Sequence, residues 1–194
     1  MALTSSPVDA RGARPARRGD VRRRLAMTAI RDGLASLTLT GARGTVRRMD
    51  RLGFAFPDGT VALFHWYPVR GGRRAGDLEI VLGVMLGEGP LGARVAALSG
   101  AAGWPTPWVI NAGGRGLDHS GSLVPYEILS DAAALPVAAR VVADVRDVWA
   151  PLLEQAWHDP AAAADRIAGH PWLVPGPAAI AIGALRDLAA DDLA

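Results

Sequence analysis

The 194-residue sequence predicts an α+β fold: a mainly antiparallel sheet of three to five strands over about 53–129, preceded by one or two helices and covered by helices over about 131–190. Alternating apolar residues and turn residues are concentrated in the middle of the chain, whereas helical spacing of apolar residues dominates its last third. Strands grouped before helices are typical of an α+β fold rather than a doubly wound parallel sheet. The sequence also lacks the repeats of a solenoid or propeller.

The first 24 residues are predicted to be a disordered arm. They carry seven arginines with scattered glycine and proline and show no apolar period. A start of translation at Met27 would make this arm non-native, and the sequence leaves that alternative open. Residues 25–194 are predicted to form a single α+β domain.

Two helices are predicted ahead of the sheet. Apolar residues over 25–39 have the spacing of a first helix that ends near Gly41. A second, short helix is predicted over 45–53, with Thr45 as its N-cap and Gly53 after its last turn. Its outer face would carry three arginines: Arg47, Arg48 and Arg51.

A β-hairpin is the clearest local prediction. The tripeptide 57–59, Pro-Asp-Gly, combines a preset φ, a side chain that bonds its own turn and a permissive glycine. It separates strand 54–56 from strand 60–67. The second strand is apolar on both alternations, so we expect it to be central and covered on both faces. A further strand over 78–86 is expected to pair with it in antiparallel fashion.

The remaining elements follow from prolines, glycines and apolar spacing. A helix is predicted between Pro90 and Gly100, and short strands at 109–110 and 123–129. The last third predicts a helix over about 137–152 that is kinked or restarted at Pro151, a helix capped by Asp159 and closed by Gly169, and a final helix over 177–190.

Composition restricts the function classes. The chain has no cysteine, which excludes disulfides, thiolate chemistry and cysteine-ligated metals. It has neither the apolar stretch of a secretory signal nor the roughly 20 apolar residues of a membrane span, so a cytoplasmic protein without membrane contact is expected.

The basic residues are distributed unevenly. All 21 are arginines, and residues 1–74 hold 15 of them against five acids, whereas residues 75–194 hold six against 14 acids. Such asymmetry indicates a basic face that attracts an anionic partner.

The function favoured by these patterns is a non-catalytic interaction or ligand-binding module that contacts an acidic or phosphate-bearing partner. Arginine pairs with carboxylate and phosphate through its planar fork, and arginine and tryptophan are enriched at interfaces. The predicted contact residues are Arg47, Arg48, Arg51, Arg70, Arg73, Arg74, Trp104 and Trp108. A protein partner or a second copy of the chain is favoured over nucleic acid, and no cofactor is predicted.

Two alternatives remain open. A small hydrolase or transferase would have its site in loop 111–122, with His119 as general base, Arg115 holding an anion and Asp118 beside them. Adjacent residues of an extended loop point in different directions, which argues against a catalytic triad there. Nucleic-acid binding through the arm and the basic half is the weaker alternative.

A metal site is not predicted. A combination of His65, Asp118, His119 and Glu127 would require neighbouring strands, and the four histidines of the chain include no pair at helical i, i+4 spacing.

Overall fold

The computed structural model consists of an antiparallel sheet with helices before and after it in the chain. It describes residues 18–70, 77–101, 108–113, 116–117, 123–124, 126–170 and 178–191. The predicted α+β class is confirmed. The elements, in chain order, are α1 (Arg18–Gly33), β1 (Gly44–Arg47), β2 (Arg51–Ala55), β3 (Val61–Arg70), β4 (Leu78–Gly87), α2 (Gly89–Ala101), β5 (Trp108–Gly113), β6 (Gly116–Leu117), β7 (Leu123–Val124), β8 (Tyr126–Ile128), α3 (Ala134–Asp144), α4 (Ala150–His158), α5 (Pro160–Gly169) and α6 (Ala178–Asp191).

The main sheet is antiparallel and has the strand order β1-β2-β3-β4-β5. Strand β8 pairs with the start of β4, on the edge that β5 occupies further along. The sheet is therefore five strands wide, at the upper limit of the prediction. Strands β6 and β7 form a separate two-stranded ladder.

The predicted hairpin at 57–59 is confirmed, and its turn residues act as expected. Asp58 accepts hydrogen bonds from the backbone N–H and the hydroxyl of Thr60, both at 2.9 Å. Gly59 has a φ of +88°, which a glycine adopts without strain. The expected antiparallel pairing of β3 with β4 is also present, from Val61–Gly87 to Arg70–Leu78.

The predicted second helix over 45–53 is wrong, because this segment forms the β1–β2 hairpin. Apolar residues at i, i+3 and i+6 fit a helix, but Leu52 and Phe54 instead alternate along β2 and are both buried. Pairing of β2 with β3 provides backbone hydrogen bonds across the sheet. Gly53 lies within that pairing, opposite Leu63, and not at a helix end.

Strand β3 is central, as predicted, but its two faces are not equally covered. Ala62, Phe64 and Trp66 are at most 1% exposed. The alternate residues are half-buried at 61, 63 and 65, and Tyr67 is 44% exposed. The expectation that both faces of β3 are covered is therefore wrong. Its even-numbered residues from 62 to 66 face the core, and the odd-numbered residues from 61 to 65 form a half-buried face although most of them are apolar.

Helix α1 begins at Arg18, seven residues before the expected start at Leu25. It runs in the same direction as α3. Arg22 near its start forms an ion pair with Asp131, which precedes α3. At its other end, Gly33 lies against Val142, and Arg146 donates a hydrogen bond to the Gly33 carbonyl at 2.7 Å. These contacts fix α1 at both ends.

The C-terminal third is helical, as predicted. Helix α3 continues through a π-helical turn (Val145–Trp149) into α4, and this irregularity directly precedes Pro151, which has no N–H to bond to the preceding turn. The Asp159 carboxylate accepts from the N–H of Ala162 and caps α5. Tyr126 donates to the Asp144 carboxylate at 2.6 Å, and its burial followed by this bond raises the pKa of the phenol.

The remaining predicted elements are present with shifted ends. The helix expected at 90–100 is α2, the strand at 109–110 is part of β5, and the strand at 123–129 is divided into β7 and β8. Among the described helices, none has both the length and the apolar composition needed to cross a bilayer.

One hydrophobic core joins the sheet to the helices. It includes Trp66 of the sheet, Ile30 of α1, Trp149 before α4, Ile167 of α5 and Leu185 of α6, each at most 1% exposed. Because α1 and the C-terminal helices share this core, the position of α1 against the sheet is determined by residues from both ends of the described chain.

Gly41 tests the contact between the loop that follows α1 and Trp157 of α4. Its φ is +84°, and a Cβ atom at this position would lie 2.3 Å from Cζ3 of Trp157. We expect Gly41→Ala to lower the free energy of unfolding by about 2 kcal/mol, since both the backbone conformation and the indole oppose it.

Gly100→Ala in α2 is the control, because nothing lies within 4 Å of the added methyl group. It should raise the free energy of unfolding by about 0.5–1 kcal/mol in the same urea titration. Equal stability of the two variants would contradict the packing described for Gly41.

Candidate functional site

Two adjoining depressions lie between α1 and the turn that joins β1 to β2. The larger one, about 720 Å³, is here called the arginine groove. Its lining residues are Asp20, Arg23, Arg24, Met27, Thr28, Arg48, Met49 and Asp50. It opens between the first turns of α1 and the tip of the β1–β2 hairpin.

The smaller depression, about 350 Å³, is here called the Trp66 cavity. Its lining residues are Arg31, Asp32, Leu34, Ala35, Arg47, Arg48, Met49, Arg51, Leu52 and Trp66. Arg48 and Met49 line both depressions, so the hairpin tip separates them. Together the two depressions are lined by six arginines and three aspartates.

The hairpin tip is held firmly in place. The Arg48 N–H donates to the Arg51 carbonyl at 2.9 Å, which leaves Met49 and Asp50 as a two-residue turn. The Asp50 carbonyl in turn accepts from the Trp66 N–H of β3 at 2.9 Å. The tip therefore extends the β2–β3 ladder and is positioned by the sheet.

Arg47, a predicted contact residue, is engaged within the protein. Its two terminal nitrogens donate to the carbonyls of Leu34 and Leu37, both at 3.1 Å. Backbone carbonyls near the end of a helix lack their full set of partners within it. The Leu34 carbonyl also accepts from the Leu37 N–H at 3.1 Å, and the guanidinium group of Arg47 adds a charged donor there and at Leu37. Arg47 thus joins β1 to the chain that leaves α1.

Three other arginines of the two depressions are available for a ligand. Arg23, Arg24 and Arg48 are exposed, and the structure gives their guanidinium groups no hydrogen bond or ion pair within the residues it describes. Arg31 and Arg51 pair with their sequence neighbours Asp32 and Asp50 at 2.6 and 3.4 Å. Exposed pairs of this kind contribute little stability, so both arginines can exchange partners.

Two other predicted contact residues, Arg70 and Trp108, lie far from each other on the sheet. Arg70 at the end of β3 pairs with Leu78, whereas Trp108 pairs with Gly87 at the opposite end of β4. Nine residues of strand correspond to about 30 Å. Arg73, Arg74 and Trp104 lie outside the described residues.

The enzyme alternative falls largely outside the described residues. Of loop 111–122, the structure describes 111–113 in β5 and 116–117 in β6. Arg115, Asp118 and His119 are not among them, so the geometry of that set stays a prediction.

His65 and Glu127 lie far apart. Their strand partners on β4, Gly83 and Glu79, are four residues from each other, or about 13 Å. Within the described ranges, no three histidine, aspartate or glutamate side chains are grouped for a metal ion.

His65 itself belongs to the half-buried face of β3. Its ring lies over Gly83, where a Cβ atom would come within 2.1 Å of the imidazole, and it stacks on Tyr67 with the centroids 5.8 Å apart. Burial, and then the nearby positive charge of Arg51, lower the pKa of His65; the carboxylate of Asp50 opposes them.

Sequence reasoning missed several residues of the site. Arg23 and Arg24 were expected in a disordered arm, and Trp66 was not among the predicted contact residues. Asp20 could have indicated that the helix begins early enough to include Arg23 and Arg24, because an acidic residue is favoured in the first turn of a helix. No comparable signal existed for Trp66, since its cavity is formed by α1.

Comparison of the chain with known protein families, curated proteins and solved structures finds no match.

Arg47 and Arg48 should differ in their effect on stability. We expect Arg47→Gln to lower the free energy of unfolding by about 1 kcal/mol, because it removes a charged donor from two backbone carbonyls. Arg48→Gln should change it by less than about 0.5 kcal/mol, because that side chain is exposed and makes no bond in the described structure. Urea denaturation of both variants measures the difference, and equal losses would contradict the assigned contacts.

His65 should make stability depend on pH. Its pKa in the folded protein lies below the ordinary value of 6.5, so the unfolded state binds the proton more readily. The stabilisation from neutral His65 is complete above about pH 6.5 and is lost as the pH falls through the folded pKa.

Urea titrations between pH 7.5 and 5 of wild type and His65→Gln test this. The stability of the wild type relative to the variant should fall as the pH decreases. A His65→Gln slope equal to that of the wild type would refute the assignment.

Proposed function

We propose that this protein is a non-catalytic binding module that contacts an acidic or phosphate-bearing partner through the arginine groove. The observation that carries the proposal is the convergence of Arg23, Arg24 and Arg48 on one depression. They come from two elements distant in sequence, and all three are exposed and without a partner in the described structure.

The charge balance supports an anionic partner. Six arginines against three aspartates leave an excess of positive charge around the two depressions. Like charges held near one another repel, and a bound carboxylate or phosphate relieves that repulsion while accepting hydrogen bonds from the guanidinium groups.

The rigidity of the supporting elements also favours binding. Helix α1 is anchored by the ion pair of Arg22 with Asp131 and by the Arg146 bond to the Gly33 carbonyl. The hairpin tip is anchored through the Trp66 N–H. A surface whose backbone is already ordered loses less entropy when the partner binds.

A protein partner fits the groove better than nucleic acid does. Asp20 and Asp50 lie among the arginines of the groove. They repel the uniform negative charge of a nucleic-acid backbone, whereas a protein surface can place basic or polar groups opposite them. A second copy of the chain belongs to the same class of partner.

Retention on phosphocellulose at increasing salt tests the proposal. We expect Arg23→Gln/Arg24→Gln and Arg48→Gln to elute at lower salt than the wild type, because each removes groove charge. The matched control is Arg166→Gln/Arg186→Gln, which removes two arginines from α5 and α6 and should elute close to the wild type.

Arg70→Gln serves as a further arm of the same experiment. It lies at the end of β3, outside the lining of both depressions, and should leave elution unchanged if the groove alone carries the contact. Equal elution of the groove variants and the α5/α6 control would overturn the proposal.

A further inference from the structure

Two aromatic rings lie side by side on the half-buried face of β3. His65 and Tyr67, two residues apart on this strand, are here called the aromatic platform. Three atoms of the His65 ring lie 2.1, 2.2 and 2.7 Å from the position that a Cβ atom of Gly83 would occupy, so the imidazole lies across the backbone of β4. The Tyr67 ring is parallel to it within 9°, with the centroids 5.8 Å apart. This distance exceeds the roughly 3.5–4.0 Å of carbon atoms in contact, so the parallel rings are displaced sideways rather than superposed.

The aromatic platform is accessible to a ligand. Tyr67 is 44% exposed, and His65 is half-buried. The aromatic residues on the opposite face of β3, by contrast, are at most 1% exposed. Every nucleobase has a planar face that stacks on aromatic side chains, and such stacking is a common way of binding bases at the surface of a sheet. The platform thus offers a stacking surface for a planar heterocycle.

A positive charge lies beside His65 on the same face of the sheet. Arg51 is the cross-strand partner of His65 on β2, and side chains of such partners are neighbours. The guanidinium group of Arg51 is exposed, and its ion pair in the described structure is a single contact of 3.4 Å with the exposed carboxylate of Asp50. A phosphate accepts two parallel hydrogen bonds from a guanidinium group, so it is a stronger partner than this contact.

Two carboxylates lie at the other end of the aromatic platform. Glu79 and Glu127 are opposite each other on β4 and β8, and neither has a hydrogen bond or ion pair within the described structure. Glu79 lies two residues before Val81, the cross-strand partner of Tyr67, and therefore is on the same face as the rings. Like charges in opposite positions repel, and a carboxylate only accepts hydrogen bonds. This end of the platform therefore favours a ligand that carries N–H donors.

The spacing of the two ends suits a ligand of the size of one nucleotide. Arg51 and Glu79 are separated by two strand spacings and by four residues along the strand direction, from Gly83 to Glu79. Strand geometry places their Cα atoms about 17 Å apart. Both side chains are long enough to extend over the platform from opposite sides, so one ligand that stacks on the rings reaches both.

We infer that the aromatic platform binds a guanine nucleotide. The base stacks on Tyr67 and His65, its ring N–H and its amino group donate to the Glu79 carboxylate, and its phosphate pairs with Arg51. Guanine has two adjacent N–H donors on this edge, whereas the other bases place an acceptor beside their donor, which a carboxylate repels. This inference goes beyond the proposed function and does not depend on it, since none of these residues lines the arginine groove.

A free nucleotide fits the platform better than a nucleic-acid chain does. Asp50 lies next to Arg51 in sequence, and Glu79 and Glu127 lie at the other end of the platform. These carboxylates repel the phosphates that precede or follow a base in a longer chain, whereas one terminal phosphate reaches Arg51 alone.

Isothermal titration calorimetry with the full chain tests the parts of the ligand separately. The probes are guanosine 5′-monophosphate (GMP), inosine 5′-monophosphate (IMP) without the amino group, guanosine without the phosphate, and ribose 5-phosphate without the base. GMP should bind about tenfold more tightly than guanosine or ribose 5-phosphate, and about fivefold more tightly than IMP. The single-stranded RNA trinucleotide UGU should bind no more tightly than GMP.

Protein variants assign the binding to the aromatic platform. Tyr67→Leu removes an exposed ring and should weaken GMP about tenfold. Arg51→Gln should weaken GMP about tenfold and leave guanosine unchanged, whereas Glu79→Gln should abolish the preference for GMP over IMP. Arg24→Gln, which removes an arginine of the groove alone, is the matched control and should leave the affinity for GMP unchanged.

The outcomes that contradict the inference are specific. Binding of GMP no tighter than that of ribose 5-phosphate, or unchanged in Tyr67→Leu, overturns it. Tighter binding of UGU than of GMP overturns the assignment to a free nucleotide and favours a nucleic-acid chain. Retention on phosphocellulose that depends on Arg23 and Arg24 would leave the proposed function standing in either case.

Discussion

Burial of one face of β3 is the constraint on which the rest of the structure depends. Ala62, Phe64 and Trp66 are at most 1% exposed, and both edges of this strand are paired. Its apolar face needs a cover, which α1 supplies in part through the buried Ile30. Because α1 is held there, its first turns lie beside the β1–β2 hairpin, and the arginines of the two elements face one depression.

The anchoring of α1 also determines which arginines are available. Arg22, Arg47 and Arg146 each bind an aspartate or backbone carbonyls and connect α1 or the chain after it to other elements. Arg23 and Arg48 differ from them by one position along a helix or a strand, and their side chains remain exposed. Of two residues adjacent in sequence, one thus contacts the protein and the other leaves its guanidinium group without a partner in the described structure, since neighbouring side chains point in different directions.

Local signals predicted a large part of the fold. The turn at 57–59, the strand over 78–86 and the cap at Asp159 depend on interactions within a few residues, and all are present. The segment 45–53 was assigned to a helix because its apolar residues Val46, Met49 and Leu52 are spaced three residues apart, which also fits one face of a helix. The pairing of β2 with both β1 and β3, which the spacing of apolar residues does not report, decides for strand. Arg48 and Arg51 were predicted as contact residues, but on a helix face and together with Arg70 and Trp108, which lie at opposite ends of β4.

The sequence by itself determined the fold class, the order of most elements and the concentration of positive charge in residues 1–74, because composition, turn chemistry and apolar periodicity are properties of the chain before it folds. The tertiary structure alone decided which arginines meet, that a depression forms between α1 and the β1–β2 hairpin and that Arg47 is engaged internally. These outcomes depend on how α1 packs against the sheet. That packing is a sum of contacts between residues far apart in sequence, to which no local pattern corresponds.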